Sequence, residues 1–100
     1  MEPIPEENVK YVCVRLVSSG FSLDPATLGG ETALELNSDG TASFTVGGKE
    51  EPGCTWVKDS GTGRVTVKTA DGKEMEMVAV EDGFEINYRG MMDMTFAPEA

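Results

Sequence analysis

From Val9 onward, apolar and polar residues alternate with a period of two, the spacing of a strand with one buried face. Val12, Val14 and Leu16 alternate with Cys13 and Arg15, and Val9 and Tyr11 extend that run toward its amino end. The same alternation returns at 32–36, 42–46, 54–58, 65–68, 74–80, 84–88 and 91–96. Turn-forming residues separate these runs: Asn37-Ser38-Asp39-Gly40, Gly47-Gly48, Pro52-Gly53, Asp71-Gly72 and Glu81-Asp82-Gly83 are the clearest. One helical signal falls after the first run. Asp24 is suited to an N-cap, Pro25 to the first helical position and Gly29 to the stop, which predicts a single turn over Pro25–Leu28. A turn that short carries no function by itself.

The pattern predicts an all-β domain of eight short strands. After the first, longer connection, every link is of hairpin length, as in a meander. A flat eight-stranded meander leaves two exposed edges, and pairing the eighth strand with the first removes them. The expected architecture is therefore an eight-stranded antiparallel up-and-down barrel, with an open or sandwiched antiparallel sheet as the alternative. Residues 1–8, with two prolines and three glutamates, read as a flexible linker from a longer chain. Residues 9–97 form the single barrel domain, and 98–100 are a frayed end.

Alternation also selects the interior. The inward candidates are Val12, Val14, Leu16, Leu34, Leu36, Ala42, Phe44, Val46, Trp56, Val65, Val67, Met75, Met77, Ala79, Phe84, Ile86, Tyr88, Met92, Met94 and Phe96. Five of the six methionines lie in the last quarter of the chain. Such flexible, polarizable side chains suit an adaptable apolar wall, and they also suit plain filling of a narrow interior. An eight-stranded barrel has room for side chains or for one small ligand. If it holds a small apolar ligand, the expected wall is Phe44, Trp56, Met77, Tyr88 and Met94, with Trp56 and Tyr88 as polar handles.

Charge narrows the partners. The 100-residue chain carries 18 Asp and Glu against 8 Lys and Arg, a net charge of -10, and has no histidine. The basic residues are scattered, so no phosphate-binding stripe forms and nucleic acid is excluded as a partner. The same charge repels anionic membrane surfaces. No apolar run is long enough for a spanning helix, so membrane insertion is not expected. Met1-Glu2-Pro3-Ile4-Pro5 lacks the basic start and apolar run of a signal peptide. Without histidine, triads and Cys-His nucleophiles are excluded, and two cysteines cannot complete a four-thiolate zinc site.

The remaining candidate chemistry reads as structure. The carboxylate pairs Glu74/Glu76, Glu50/Glu51 and Glu81/Asp82 have the residue types for acid–base hydrolysis. Glu74 and Glu76, however, alternate with Met75 and Met77 and so belong to a solvated face. The stretch from Glu35 to Gly40 resembles half a calcium loop, but Val46 stands where a bidentate glutamate is needed. Gly61-Thr62-Gly63-Arg64 is followed by no helix and reads as a turn. Cys13 and Cys54 lie on strands that are not neighbours in a meander, and the parity of Cys13 points it outward, so two free thiols are expected. No catalytic residue, metal ligand or cofactor is expected, and the chain is read as non-enzymatic.

Four stretches carry a family resemblance: Leu23-Asp24-Pro25 with Leu28-Gly29; 36–41; Thr55-Trp56; and 90–96. In order and spacing they resemble the lipocalin-like (calycin-type) small β-barrel domains of secreted and cell-surface proteins from Gram-positive gut bacteria. The resemblance spans nearly the whole chain, although each stretch is unspecific by itself. It implies a barrel, an extracellular or cell-surface setting and no catalytic residues. Cys13 and Cys54 depart from the family pattern. Two main readings follow. One is a monomeric module that binds a small apolar ligand at the cell surface. The other is a filled-core structural or protein-interaction domain of a larger surface protein. A carboxylate-pair hydrolase is the third.

Overall fold

In a computed structural model, residues 6–81, 83–88 and 90–99 are described. The strands are β1 (Lys10–Ser18), β2 (Phe21–Leu23), β3 (Ala33–Leu36), β4 (Ala42–Val46), β5 (Lys49–Glu51), β6 (Thr55–Lys58), β7 (Val65–Lys68), β8 (Glu74–Val80), β9 (Gly83–Tyr88) and β10 (Met92–Pro98). A 3-10 turn over Pro25–Leu28 follows β2. It takes the expected form: the Asp24 carboxylate accepts the Ala26 N–H at 2.9 Å, and Gly29 ends the turn in the left-handed region. All recorded ladders are antiparallel, in the order β5-β4-β3-β1-β10-β9-β8-β7-β6, with β2 attached to β1 alone. The sheet curls into a half-barrel.

Each of the eight predicted strands has a counterpart. The last runs on to Pro98, and the Glu99 N–H donates to the Lys10 carbonyl at 2.9 Å. The expected linker lies outside the described residues up to Pro5. Beyond that, the Glu6 N–H donates to the Tyr11 hydroxyl and the Asn8 N–H to the Leu36 carbonyl. β2 and β5 were not predicted. β5 is Lys49-Glu50-Glu51, a poor strand by propensity. It forms because Gly47 and Gly48, both at positive φ, fold it back onto β4 in a two-residue turn.

The predicted pairing of first and last strands is present as the β1–β10 ladder, from Tyr11↔Pro98 to Val17↔Asp93. The other join differs from a regular closed ladder. The two ends of the strand path, β5 and β6, are consecutive in the chain and both lie along β4. β5 pairs with it from Val46↔Lys49 to Phe44↔Glu51. Further down, Thr41 bridges Thr55, the Ala42 N–H donates to the Cys54 carbonyl at 2.9 Å, and the Trp56 N–H donates to the Gly40 carbonyl at 3.0 Å. The four residues from Phe44 back to Thr41 are matched by five, Glu51 to Thr55. The extra residue falls at Pro52-Gly53, where proline lacks an N–H and Gly53 has φ 68°. A Cβ on Gly53 would stand 2.9 Å from the Cβ of Ala70.

The core lies inside the curl. Leu16, Leu34, Leu36, Phe44, Val65, Val67, Ile86, Met94 and Phe96 have no solvent exposure. Nearly every inward candidate is buried there or packs against it. The exceptions are Val12 and Val14, and they have one cause. The β1–β10 register shifts between Cys13 and Arg15, which leaves Val14 as a bulge residue. Paired residues of an antiparallel ladder share a face. Tyr11 and Cys13 therefore point inward ahead of the bulge and Leu16 after it, with Val14 48% exposed. The outward placement of Cys13 is corrected by the same bulge: it pairs with Phe96 and packs against the core.

Candidate functional site

The five expected ligand-contacting residues come from five strands. Phe44 (β4), Met77 (β8), Tyr88 (β9) and Met94 (β10) belong to one buried cluster, and Trp56 (β6) packs against it half-buried. The Phe44 ring meets Tyr88 edge-on at 5.8 Å and Phe96 at 6.1 Å, so β4 touches β9 and β10 across the interior. Tyr11 meets Phe84 in the same way at 5.7 Å. Such edge contacts add to simple burial, by about 1 kcal/mol each. Met75, Met77 and Met94 are buried as filling, while Met91 is 60% exposed.

Both handles are engaged by the chain itself, and at opposite ends of the curl. The Trp56 indole N–H donates to the Asn37 carbonyl at 2.7 Å, at the end where β1 begins. The Tyr88 hydroxyl donates to Glu51 Oε1 at 2.6 Å, at the end where β10 starts. The second contact ties β9 to β5, next to the Pro52-Gly53 break. Sequence reasoning had placed Glu51 only in a carboxylate pair. Its role as a clasp across 37 residues leaves no local trace in the chain.

The acidic groups elsewhere serve the turns. Asp59 Oδ1 accepts the N–H groups of Gly61 and Thr62, at 2.7 and 3.0 Å, and these bonds hold its carboxyl below the usual range. The amides that a Gly-Thr-Gly turn offers an anion thus face Asp59. Asp39 Oδ1 accepts the hydroxyl and N–H of Thr41, which lowers its pKa likewise. The carboxylate of the half calcium loop is used in its own hairpin. Glu74 and Glu76 are exposed, and Glu76 pairs with Arg64 at 3.0 Å. Of the pair Glu81/Asp82, Asp82 lies outside the described residues. Among the described residues, no group of three His, Cys, Asp or Glu side chains is placed to hold a metal ion.

Cys13 and Cys54 are not joined in a disulfide. Burial pushes the Cys13 thiol up, against the lowering effect of backbone contacts with Arg15 and Thr95. A cleft of about 230 Å³ lies between Glu51-Pro52 and Thr69-Ala70-Asp71. A smaller one of about 70 Å³ lies on the outer face near Lys10, Glu31 and Ser43. None of the five candidate residues lines either cleft. No helix among the described residues is long and apolar enough to cross a membrane. Comparison with family models, curated proteins and solved structures finds no match to this chain.

Proposed function

We propose that this chain is a non-enzymatic interaction module: a filled β-barrel whose outer surface, not its interior, meets a partner. The observation that carries this is the contact of Phe44 with Tyr88 and Phe96 across the interior, with Trp56 and Tyr88 already bonded to Asn37 and Glu51. An interior ligand would have to displace rings that already pack on one another. The polar groups that would orient it would have to exchange existing bonds for new ones at no net gain.

The barrel itself is part of the proposal. β5 and β6 are read as one strand, the fourth of eight, broken at Pro52-Gly53. Support comes from their common alignment on β4 with a single extra residue between them. The lipocalin-like reading and a cell-surface setting rest on the four resembling stretches. Two of these, 36–41 and Thr55-Trp56, come together at the Thr41–Thr55 bridge.

The test is a titration of the native protein with a fluorescent apolar dye and with laurate, followed through the methyl signals of Met77 and Met94. The expected result is no saturable binding and no shift of either methyl. Saturable binding with shifts of both would replace this reading with a small apolar ligand carried inside, walled by Phe44, Trp56, Met77, Tyr88 and Met94.

A further inference from the structure

Among the described strands, β5 alone has a charged residue at both of its inward positions. Paired residues of an antiparallel ladder share a face. Phe44 and Val46 turn toward the core on β4, and their partners on β5 are Glu51 and Lys49. Every other strand brings at least one apolar residue to that face. A strand made to stay buried would carry apolar side chains at 49 and 51 as well. Instead Lys49 and Glu50 are exposed and Glu51 is half-buried.

The segment hangs between two anchored pivots. At its start the Gly47 N–H donates to the Thr32 hydroxyl at 3.0 Å and the Gly48 N–H to the Glu31 carbonyl at 2.8 Å. A Cβ on Gly47 would stand 2.5 Å from the Leu28 carbonyl oxygen, so this pivot is packed against the 3-10 turn. At its end Pro52-Gly53 breaks the strand, and the Cys54 carbonyl just beyond accepts the Ala42 N–H. Between the pivots, Lys49–Glu51 makes three ladder pairs with β4 and no other ladder among the described residues. The cleft of about 230 Å³ beside Glu51 and Pro52 gives it room to leave β4. From across the interior, the Tyr88 hydroxyl holds Glu51 at 2.6 Å.

We propose that β5 is a releasable strap that guards the edge of β4. When Tyr88 lets go of Glu51, Lys49–Glu51 lifts on its two glycine pivots into the cleft. The β4 edge from Phe44 to Val46 is then bared while the β1–β10 ladder stays closed. The strap thus withholds a hydrogen-bonding edge that the barrel can present without unfolding. This inference goes beyond the reading of the chain as a filled module and does not depend on it.

The reporter is the Cys54 thiol, 3% exposed and the first inward side chain beyond Gly53. The intact chain is treated with iodoacetamide, from no urea to just below the unfolding transition, and alkylation of Cys54 is followed by mass spectrometry. Strap opening exposes little surface, so the rate should stay flat with urea over this range. Tyr88→Phe removes the latch and should speed alkylation about tenfold. Lys49→Val gives the strap an apolar residue opposite Val46 and should slow it about threefold. Ile86→Val weakens the core away from the strap and should leave the rate without urea unchanged. A rate that climbs with urea as steeply as global unfolding would overturn the strap. So would equal speeding by Ile86→Val, or failure of either strap variant to move the rate. None of these outcomes bears on the filled interior, which the Met77 and Met94 methyl signals test separately.

Discussion

The two joins that curl this sheet are made from different materials. Between β1 and β10, pairing runs from Tyr11↔Pro98 to Val17↔Asp93 with one bulge, over the fully buried Leu16, Met94 and Phe96. Between β4 and the β5–β6 segment there are three ladder pairs, a break and one bridge. That join depends on side-chain clasps: Trp56 to Asn37, Tyr88 to Glu51 and Asp39 to Thr41. Sequence distance gives a reason for the difference. Leu16↔Met94 closes a far longer loop than Thr41↔Thr55. The longer closure costs about 1.5 kcal/mol more in chain entropy. The long-range join needs a continuous ladder and core, whereas the short-range one holds with clasps and tolerates a break.

The largest effects should come from the long-range join. Phe96→Ala removes a fully buried ring that touches Phe44 and should cost about 4 kcal/mol in urea unfolding. That is a large share of the stability of a small domain, about 5 to 15 kcal/mol. Gly83→Ala should be of similar severity, because a Cβ there would stand 2.0 Å from the Phe96 carbonyl oxygen. The clasped join should respond more locally. Tyr88→Phe removes a hydrogen bond to Glu51 and should cost about 1.5 kcal/mol. Its signature is regional: amides of β5 should exchange faster while those of β1 and β10 keep their protection. Equal acceleration in all three strands would show that the two joins open as one unit.

The same contrast separates what was legible in the sequence from what was not. Alternation located the eight main strands because one buried face imposes its period directly on the residues. Pairing of the first strand with the last followed from the need to hide edges. The bulge at Val14 was illegible, since Tyr11-Val12-Cys13-Val14 supports either parity until Phe96 and Thr95 fix the register. β5 was illegible because Lys49-Glu50-Glu51 has no strand pattern, and its pairing is dictated by Gly47-Gly48 and β4. Four of the five candidate residues belong to the core cluster and Trp56 packs against it. Whether rings from different strands leave a gap or meet depends on three-dimensional spacing, to which a one-dimensional pattern is blind. The Glu51 and Asn37 contacts were hidden for the same reason.

Smaller perturbations sharpen the comparison. Val14→Thr should change stability by no more than about 0.5 kcal/mol, since the bulge holds this valine half in solvent. A loss of about 2 kcal/mol in urea unfolding would instead put Val14 in the core and remove the bulge from the long-range join.

The smallest effect separates the joins by pH. Asp39 accepts the hydroxyl and N–H of Thr41, and Thr41 is the residue that bridges Thr55. These bonds favour the charged carboxylate and lower its pKa in the folded chain. The stabilisation is therefore complete above the unfolded carboxyl pKa of about 3.9 and is lost as pH falls through the lower folded value. Acid should loosen the Thr41–Thr55 bridge while the β1–β10 ladder, which contains no such carboxylate-held turn among its pairs, stays closed. Amide exchange at Thr41 and Trp56, compared with Leu16 and Met94 from pH 6 down to about 3, reads this directly. Asp39→Asn should flatten the acid response at Thr41 and Trp56 and leave Leu16 and Met94 unmoved. An unchanged acid response in that variant would assign the sensitivity to another carboxylate and detach the clasp from the bridge.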